Sequence, residues 1–445
     1  MIRLTQRRLA AMGVAMGAFA SFCASAQAET VLTPAEKYQI FFRSSVCGAP
    51  FSDGGVTQRC LDTQDSSRAG TAAEFASLTA ASQSSLNPSQ ALAAADSALS
   101  AAQALANETE QRLEAMRDRQ GGKAGAADDS IGRLGNVNLF AGWQGEWFNK
   151  DRPQYANERG FDGSRHKGTV GADFEPAPGS RIGLMLSYDR NALTFDSEAA
   201  VTSFAPQGNA GGNKSRTWTV TAFASAAIGE GGWLDIAAGH GWSDNAFRRR
   251  ATFVPLTIQQ GNAVAGAKAL DVDAFGSAKG RHTFITAGAG FDSQSGALSF
   301  GPYARLRYVH SRISAYEETD GRGSGLEMGI SAQKTTIVTG VLGGRVSGAL
   351  STSWGVIVPQ ARIEYEHGFK GDAREVSAYF VRDNAPGVAP LQLTSDRPDR
   401  NFFNLGAGLA FVLPHGVMPY VDYEALVGYS GFTRHRVSLG LRVAL

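Results

Sequence analysis

From residue 136 onward, apolar and polar residues alternate with a period of two, the spacing of a strand with two unlike faces. In 215–228, Trp218, Val220, Ala222, Ala224, Ala226 and Ile228 share one face, and Thr217, Thr219, Thr221 and Ser225 share the other. In 354–369, Ile357, Pro359, Ala361, Ile363 and Tyr365 stand against Val358, Gln360, Arg362, Glu364 and Glu366. The last segment sets Val437, Leu439, Leu441, Val443 and Leu445 against Arg436, Ser438, Gly440 and Arg442.

The pattern predicts twelve strands, beginning near Asn136, His166, Arg181, Ser215, Trp233, Arg281, Leu298, Ala332, Trp354, Arg400, Met418 and Phe432. Connections after strands 2, 4, 6, 8 and 10 are short (176–180, 229–232, 294–297, 351–353 and 413–417), whereas those after strands 1, 3, 5, 7 and 9 are longer, the longest around 371–399. An even strand count with turns sorted to one end and loops to the other is the pattern of a transmembrane β-barrel with periplasmic turns. A soluble sandwich has no reason to sort its connections. The expected fold is therefore an all-β membrane barrel, twelve-stranded, antiparallel and up-and-down, with a short N-terminal α-helical segment. Aromatics near strand ends, Trp143, Trp147, Trp233, Tyr303, Trp354, Tyr420 and Tyr429, suit the two interfacial girdles.

Upstream the period changes. Residues 29–135 are rich in Ala, Ser and Gln and hold none of the six tryptophans. Asn87-Pro88 reads as an N-cap followed by a first-turn proline, and Gly121-Gly122 as a helix stop. Leu92, Leu99, Ala106 and Leu113 recur every seven residues, accompanied by Ala95, Ala102, Thr109 and Met116. The stripe is made of small residues, so it describes a slender helix that packs on a neighbour. Residues 29–123 are read as this helical N-terminal segment and 124–135 as a linker.

Twelve strands about 4.8 Å apart and tilted by about 40° enclose a backbone cylinder roughly 24 Å across. Inward side chains reduce this to a channel of roughly 12 Å, which one α-helix nearly fills. The small residues of the linker suit that space. Inward charges at Glu146, Arg305, Arg307, Arg362, Glu364, Glu366, Asp422, Glu424, Arg434, Arg436 and Arg442 would pair with one another, with water or with such a plug; the simplest reading of any one of them is a hydrated wall.

Composition narrows the class. Charged residues are 19% of the 445 and balance to a net charge of +1, which argues against a nucleic-acid partner. Met1 to Ala28 reads as a secretory signal: Arg3, Arg7 and Arg8 precede an apolar run from Leu9, and Ala26-Gln27-Ala28 offers a cleavage site. The residues after Arg7-Arg8 do not continue a twin-arginine motif, and Phe22 is too large for a lipoprotein site at Cys23. The exported chain keeps two cysteines, Cys47 and Cys60, read as a structural disulfide, with a reactive or metal-binding pair as the alternative. The seven histidines are scattered without metal-ligand or nucleophile spacing, so no enzyme, metal or cofactor is expected.

The segments 141–149 (AGWQGEWFN), 354–369 (WGVIVPQARIEYEHGF), 401–411 (NFFNLGAGLAF), 418–426 (MPYVDYEAL) and 428–445 (GYSGFTRHRVSLGLRVAL) together resemble the translocator domain of monomeric autotransporters, the type V secretion proteins. The resemblance covers 136–445. It implies a monomeric barrel in the outer membrane that reaches the periplasm through the Sec translocon. There the barrel-assembly machinery would insert it among outer-membrane lipid and lipopolysaccharide, and it would carry an N-terminal passenger to the cell surface. In the family's C-terminal assembly signal, Ser438, Gly440, Val443 and Leu445 match except at the end, where Leu445 stands in place of Phe or Trp; the departure bears on assembly efficiency. The segment before the barrel is too short for the β-helix, esterase or protease passengers of the family, and Asn136-Val137-Asn138 is not the paired asparagine at which some members cut themselves. The implied function is display or secretion of a short passenger with a role in adhesion or surface interaction. The alternative is an outer-membrane channel whose N-terminal segment is a periplasmic plug or anchor.

Overall fold

The computed structural model describes residues 41, 88–93, 100, 103–110, 137–151, 158–197, 210–253, 256–259, 262–265, 270–322, 325–382, 389–414 and 417–444. Twelve long strands form one antiparallel sheet: β1 (Val137–Lys150), β2 (Phe161–Phe174), β3 (Ser180–Phe195), β4 (Gly211–Ile228), β5 (Gly232–Phe253), β6 (Leu270–Phe291), β7 (Leu298–Ile313), β8 (Gln333–Gly348), β9 (Gly355–Lys370), β10 (Asn401–Val412), β11 (Val417–Val427) and β12 (Phe432–Ala444). Each pairs with its sequence neighbour, and β12 pairs back onto β1 from Asn138↔Ala444 to Lys150↔Phe432, so the sheet closes and has no edge.

The distribution of side chains is inverted relative to a soluble protein. Leu184, Leu342 and Ile236 are among the most exposed large apolar residues, at 60%, 63% and 55%, whereas Arg165, Lys167 and Arg436 are 1% exposed. Alternate positions of each strand point outward as grease and inward as charge, the arrangement hydrocarbon outside and water inside demand. None of the described helices is long and apolar enough to cross a membrane.

All twelve strands predicted from the pattern are present, but β2, β4 and β6 begin earlier than expected, at Phe161, Gly211 and Leu270. A transmembrane strand needs about 9 to 11 residues, and β5 and β6 have 22 each. Their surplus projects past the membrane at the long-loop end. There the outward face leaves the lipid for water while the inward face packs on the outer loops, so the apolar-out, polar-in alternation of a membrane strand is lost.

The long loops are themselves structured. Tyr316–Glu317, Met328–Ile330, Glu375–Phe380 and Leu391–Thr394 form a second, four-stranded sheet, and Leu256–Gln259 pairs with Asn262–Ala265 as a hairpin. Leu326, Met328, Ile330, Val376, Ala378, Phe380, Leu391 and Leu393 of this outer sheet pack on Phe247, Val272 and Ile313 from the outer ends of β5, β6 and β7. The barrel is thus polar at mid-height and apolar at its outer mouth. At the opposite end, Gly179, Gly229 and Gly296 take positive φ in tight turns, a conformation open to glycine without strain.

Glycine also shapes the inner wall. At Gly171, Gly183, Gly239, Gly343 and Gly440 an added Cβ would collide with Phe140, Phe223, Phe284, Tyr303 and Tyr420, whose rings lie flat across the neighbouring strand. Aromatic cover of a glycine is a known means of holding strand register in curved sheets.

Three expectations are corrected here. Trp233 and Tyr303, read as girdle residues, are 4% and 5% exposed and face inward, and Tyr420 lies inside against Gly440. Proximity to a strand end does not decide the face; parity along the strand does. Trp143, Trp147 and Trp354 are exposed, while Tyr429 packs in the outer loops on Phe402 and Phe432.

Candidate functional site

Inward parity brings most of the lumen charges into one connected network. Glu146 of β1 accepts from Arg165 Nη1 at 2.8 Å and from Arg436 Nη2 at 2.9 Å, and Glu146 and Arg436 are direct register partners across the closing seam. Arg436 Nη1 donates to Glu424 at 2.7 Å, and Glu424 accepts from Arg362 at 2.9 Å. Arg362 also forks onto Asp422 at 2.7 and 2.8 Å. On β7 and β9, Arg305 donates to Glu364 at 2.9 Å and Arg307 to Glu366 at 2.7 Å. Arg434 donates to Asn404 at 2.9 Å, and Asn404 to Glu366. Arg442 belongs to a separate group nearer the short-turn end, sharing Asp173 with Arg181 and Asn138.

The carboxylates Glu364 and Glu366 are therefore each held by an arginine. Such pairing is what keeps buried charge tolerable, since removing one partner leaves the other desolvated and alone.

A helix occupies the centre of this wall. Residues 90–93, 100 and 103–110 are helical. Leu92 packs at the outer mouth with Phe247 and Val272, Gln90 Nε2 donates to the Ala210 carbonyl at 3.3 Å, and Leu105 and Ala106 pack on Phe284 and Val309 of β6 and β7. Polar contacts pin it: Arg165 donates to Ser100 Oγ at 2.9 Å, Lys167 to the Ala104 carbonyl at 3.1 Å and to Glu108 at 2.5 Å. Glu110 receives Arg307 Nε at 2.9 Å, Arg307 Nη2 at 2.5 Å and Thr286 Oγ1 at 2.6 Å, with Arg305 at 3.6 Å. Above the mouth, the Phe41 ring stacks on Phe380 of the outer sheet, centroids 5.2 Å apart. Tyr379 in that sheet donates to Glu317 at 2.8 Å, and the hydrogen bond raises its phenol above the ordinary value.

The described residues inside the lumen lie upstream of 124–135, the segment expected there, which falls outside the described residues. So do the signal segment, Cys47, Cys60, Gly121-Gly122 and Leu445. Val443 pairs in the backbone ladder with Leu139 and Val417, Ser438 accepts from Gln144 inside the lumen at 3.2 Å, and Gly440 carries the Tyr420 ring.

Sequence reasoning missed the partners that hold the helix: Arg165, Lys167, Glu108 and Glu110. The inward run Arg165, Lys167, Thr169 was readable had β2 been started at Phe161. Glu108 and Glu110 look like an ordinary solvent face until the arginines opposite are seen. Among the described residues no three His, Cys, Asp or Glu side chains are grouped to hold a metal.

Two comparisons extend this geometry. The autotransporter β-domain family model matches residues 139–424. Among solved structures, the translocator domain of autotransporter NalP from Neisseria meningitidis is similar with a TM-score of 0.53 at 15% identity, over 78% of this chain and 98% of that one. The β domain of the Bordetella autotransporter BrkA gives 0.44 at 15% identity, over 70% and 100%. The transport unit of AIDA-I from Escherichia coli gives 0.44 at 10%, over 74% and 96%. No curated protein matches the chain. At such identities the structural likeness speaks for the fold alone, and the family match, spanning most of the chain, carries the assignment. With its closed barrel of twelve strands, greasy outside and charged within, the chain belongs to the autotransporter β-domain family of the outer membrane.

Proposed function

We propose that this outer-membrane autotransporter barrel holds its own short N-terminal segment at the cell surface, where it serves in adhesion or surface interaction. The observation that carries the reading is the path of the chain: Phe41 lies in the core of the outer loop sheet, Leu92 lies at the outer mouth, and 103–110 lie inside the lumen. In outer-membrane barrels the long loops are extracellular, so a chain following this path has its N-terminal part outside and enters the pore from above. The reading assigns the protein no enzymatic step. It takes outer-membrane lipid, lipopolysaccharide, the Sec translocon and the barrel-assembly machinery as partners of a monomer.

Protease applied to intact cells tests the proposal. Cleavage upstream of residue 88 with 103–110 protected is expected, and an N-terminal segment untouched on whole cells but cut after permeabilisation would reject it. A second reading, a channel closed by its N-terminal segment, is favoured by the helix in the lumen. Conductance in planar bilayers that stays the same when 29–135 are deleted rules that reading out.

A further inference from the structure

The outer face of the barrel carries a row of direct cross-strand neighbours running over six strands: Tyr188, Trp218, Trp242, Arg281, Arg312 and Lys334. One pleat closer to the long loops, Arg190 stands directly opposite Arg216, with exposed Lys214 above them. All five cations Arg190, Arg216, Arg281, Arg312 and Lys334 are exposed and point outward. Below the row the same strands present Leu186, Val220, Ile285 and Leu306 to the membrane.

Like charges directly opposite in a ladder repel one another, and the row places three of them side by side. Among the described residues no carboxylate is within ion-pairing distance of these five. Asp244, opposite Arg216, is taken by Lys279. The inward face of the same strands shows the contrast, since there Arg305 and Arg307 each have carboxylates at 2.7 to 2.9 Å. The repulsion is therefore left for something outside the chain to relieve.

Position says what that is. Tyr188 and Trp218, ring centroids 4.7 Å apart, with Trp242 beside them, form the aromatic girdle at the outer boundary of the hydrocarbon. The tilt of the strands makes a row of register partners climb toward the long-loop end as it passes from β3 to β8, so the cations sit at headgroup height. A guanidinium offers a fork of donors that matches phosphate oxygens. We propose that this face is a binding site for the phosphorylated glycolipid of the outer leaflet, lipopolysaccharide, with Arg281, Arg312 and Lys334 on its lipid phosphates and the Arg190–Arg216 pair on an adjacent molecule. A soluble protein would have to enter the plane of the membrane to reach the same residues.

Full-length protein refolded in detergent, its folding checked by heat-modifiable gel migration, is titrated with lipopolysaccharide while its thermal midpoint is followed. Parallel titrations use the same lipopolysaccharide after removal of its phosphates, phosphatidylglycerol vesicles, and inorganic phosphate. A rise in midpoint with the phosphorylated glycolipid alone is expected. The combined substitution Arg281→Gln, Arg312→Gln, Lys334→Gln should weaken that binding on the order of 100-fold. Arg281→Lys with Arg312→Lys, which keeps the charge, should retain most of it, and Arg400→Gln on the far rim should leave it unchanged. Equal response to the dephosphorylated form, to phosphatidylglycerol or to inorganic phosphate overturns the proposal, as does a triple glutamine variant that folds and binds like the parent.

Discussion

Glu110 ties the lumen helix to the wall. Its carboxylate is buried against Arg305, Arg307 and Thr286, which belong to two strands of the wall. Substitution Glu110→Gln should loosen the lumen helix by on the order of 3 kcal/mol, because two buried guanidinium groups lose their shared counter-charge. Faster amide exchange over 103–110, with the barrel strands unchanged, is the expected outcome. Combining it with Arg307→Gln should cost less than the sum of the two changes if the pair is coupled. At the same scale, Gly440→Ala should destabilise by about 1 to 3 kcal/mol by pushing the Tyr420 ring off its seat, as read by urea unfolding in vesicles. Alternation announced that Arg305, Arg307, Glu364 and Glu366 share the inner face. Which carboxylate each arginine finds depends on the stagger between β7, β8 and β9, and a single strand does not contain that information.

At the scale of elements, the strands were legible where they lie in the membrane and less so where they leave it. The transmembrane part of β4 alternates Trp218, Val220, Ala222 and Ala224 with Thr217, Thr219, Thr221 and Phe223, because one face meets lipid and the other the lumen. In the outer part of β6 the contrast is reversed, with Val272, Ala274 and Ala278 buried inward and Ser277, Lys279 and Arg281 exposed, so the pattern of lipid outside and water inside does not mark its start at Leu270. A charge on the lipid face should be correspondingly costly: Leu184→Arg, near mid-membrane on β3, is expected to destabilise the folded barrel by about 2 to 4 kcal/mol. Folding yield into vesicles measures it, with the inward Ser225→Ala, which removes a hydroxyl that makes no hydrogen bond among the described residues, as a near-neutral comparison. The outer sheet escaped sequence reading for a different reason. Its strands are two to six residues long and pair across distant loops, as Met328–Ile330 does with Glu375–Phe380, so no local pattern betrays them.

The whole molecule joins two regions of opposite character, a lumen held by ion pairs and an outer mouth closed by apolar packing. Phe41 and Leu92 bind the N-terminal segment to that closure. Phe41→Ala removes the ring stacked on Phe380, and a buried Phe→Ala change costs about 3 to 5 kcal/mol at its site. The barrel is far larger than this contact and should keep its thermal midpoint, while the N-terminal segment becomes more sensitive to protease on intact cells. A matching fall in barrel stability would instead mean that the outer cluster is part of the barrel's own fold.

Alternation along the chain was enough for the strand count, the sorting of turns from loops and part of the inward charge, though not for Arg165 and Lys167 or the inward face of Trp233 and Tyr303. Each follows from a period of two imposed on every strand by lipid on one side and water on the other. The tertiary structure alone decided which arginine meets which carboxylate, that the lumen receives residues 103–110, and that the long loops fold into a second sheet around Phe41. These are contacts between segments far apart in the chain, fixed by strand stagger and by the shape of the closed cylinder.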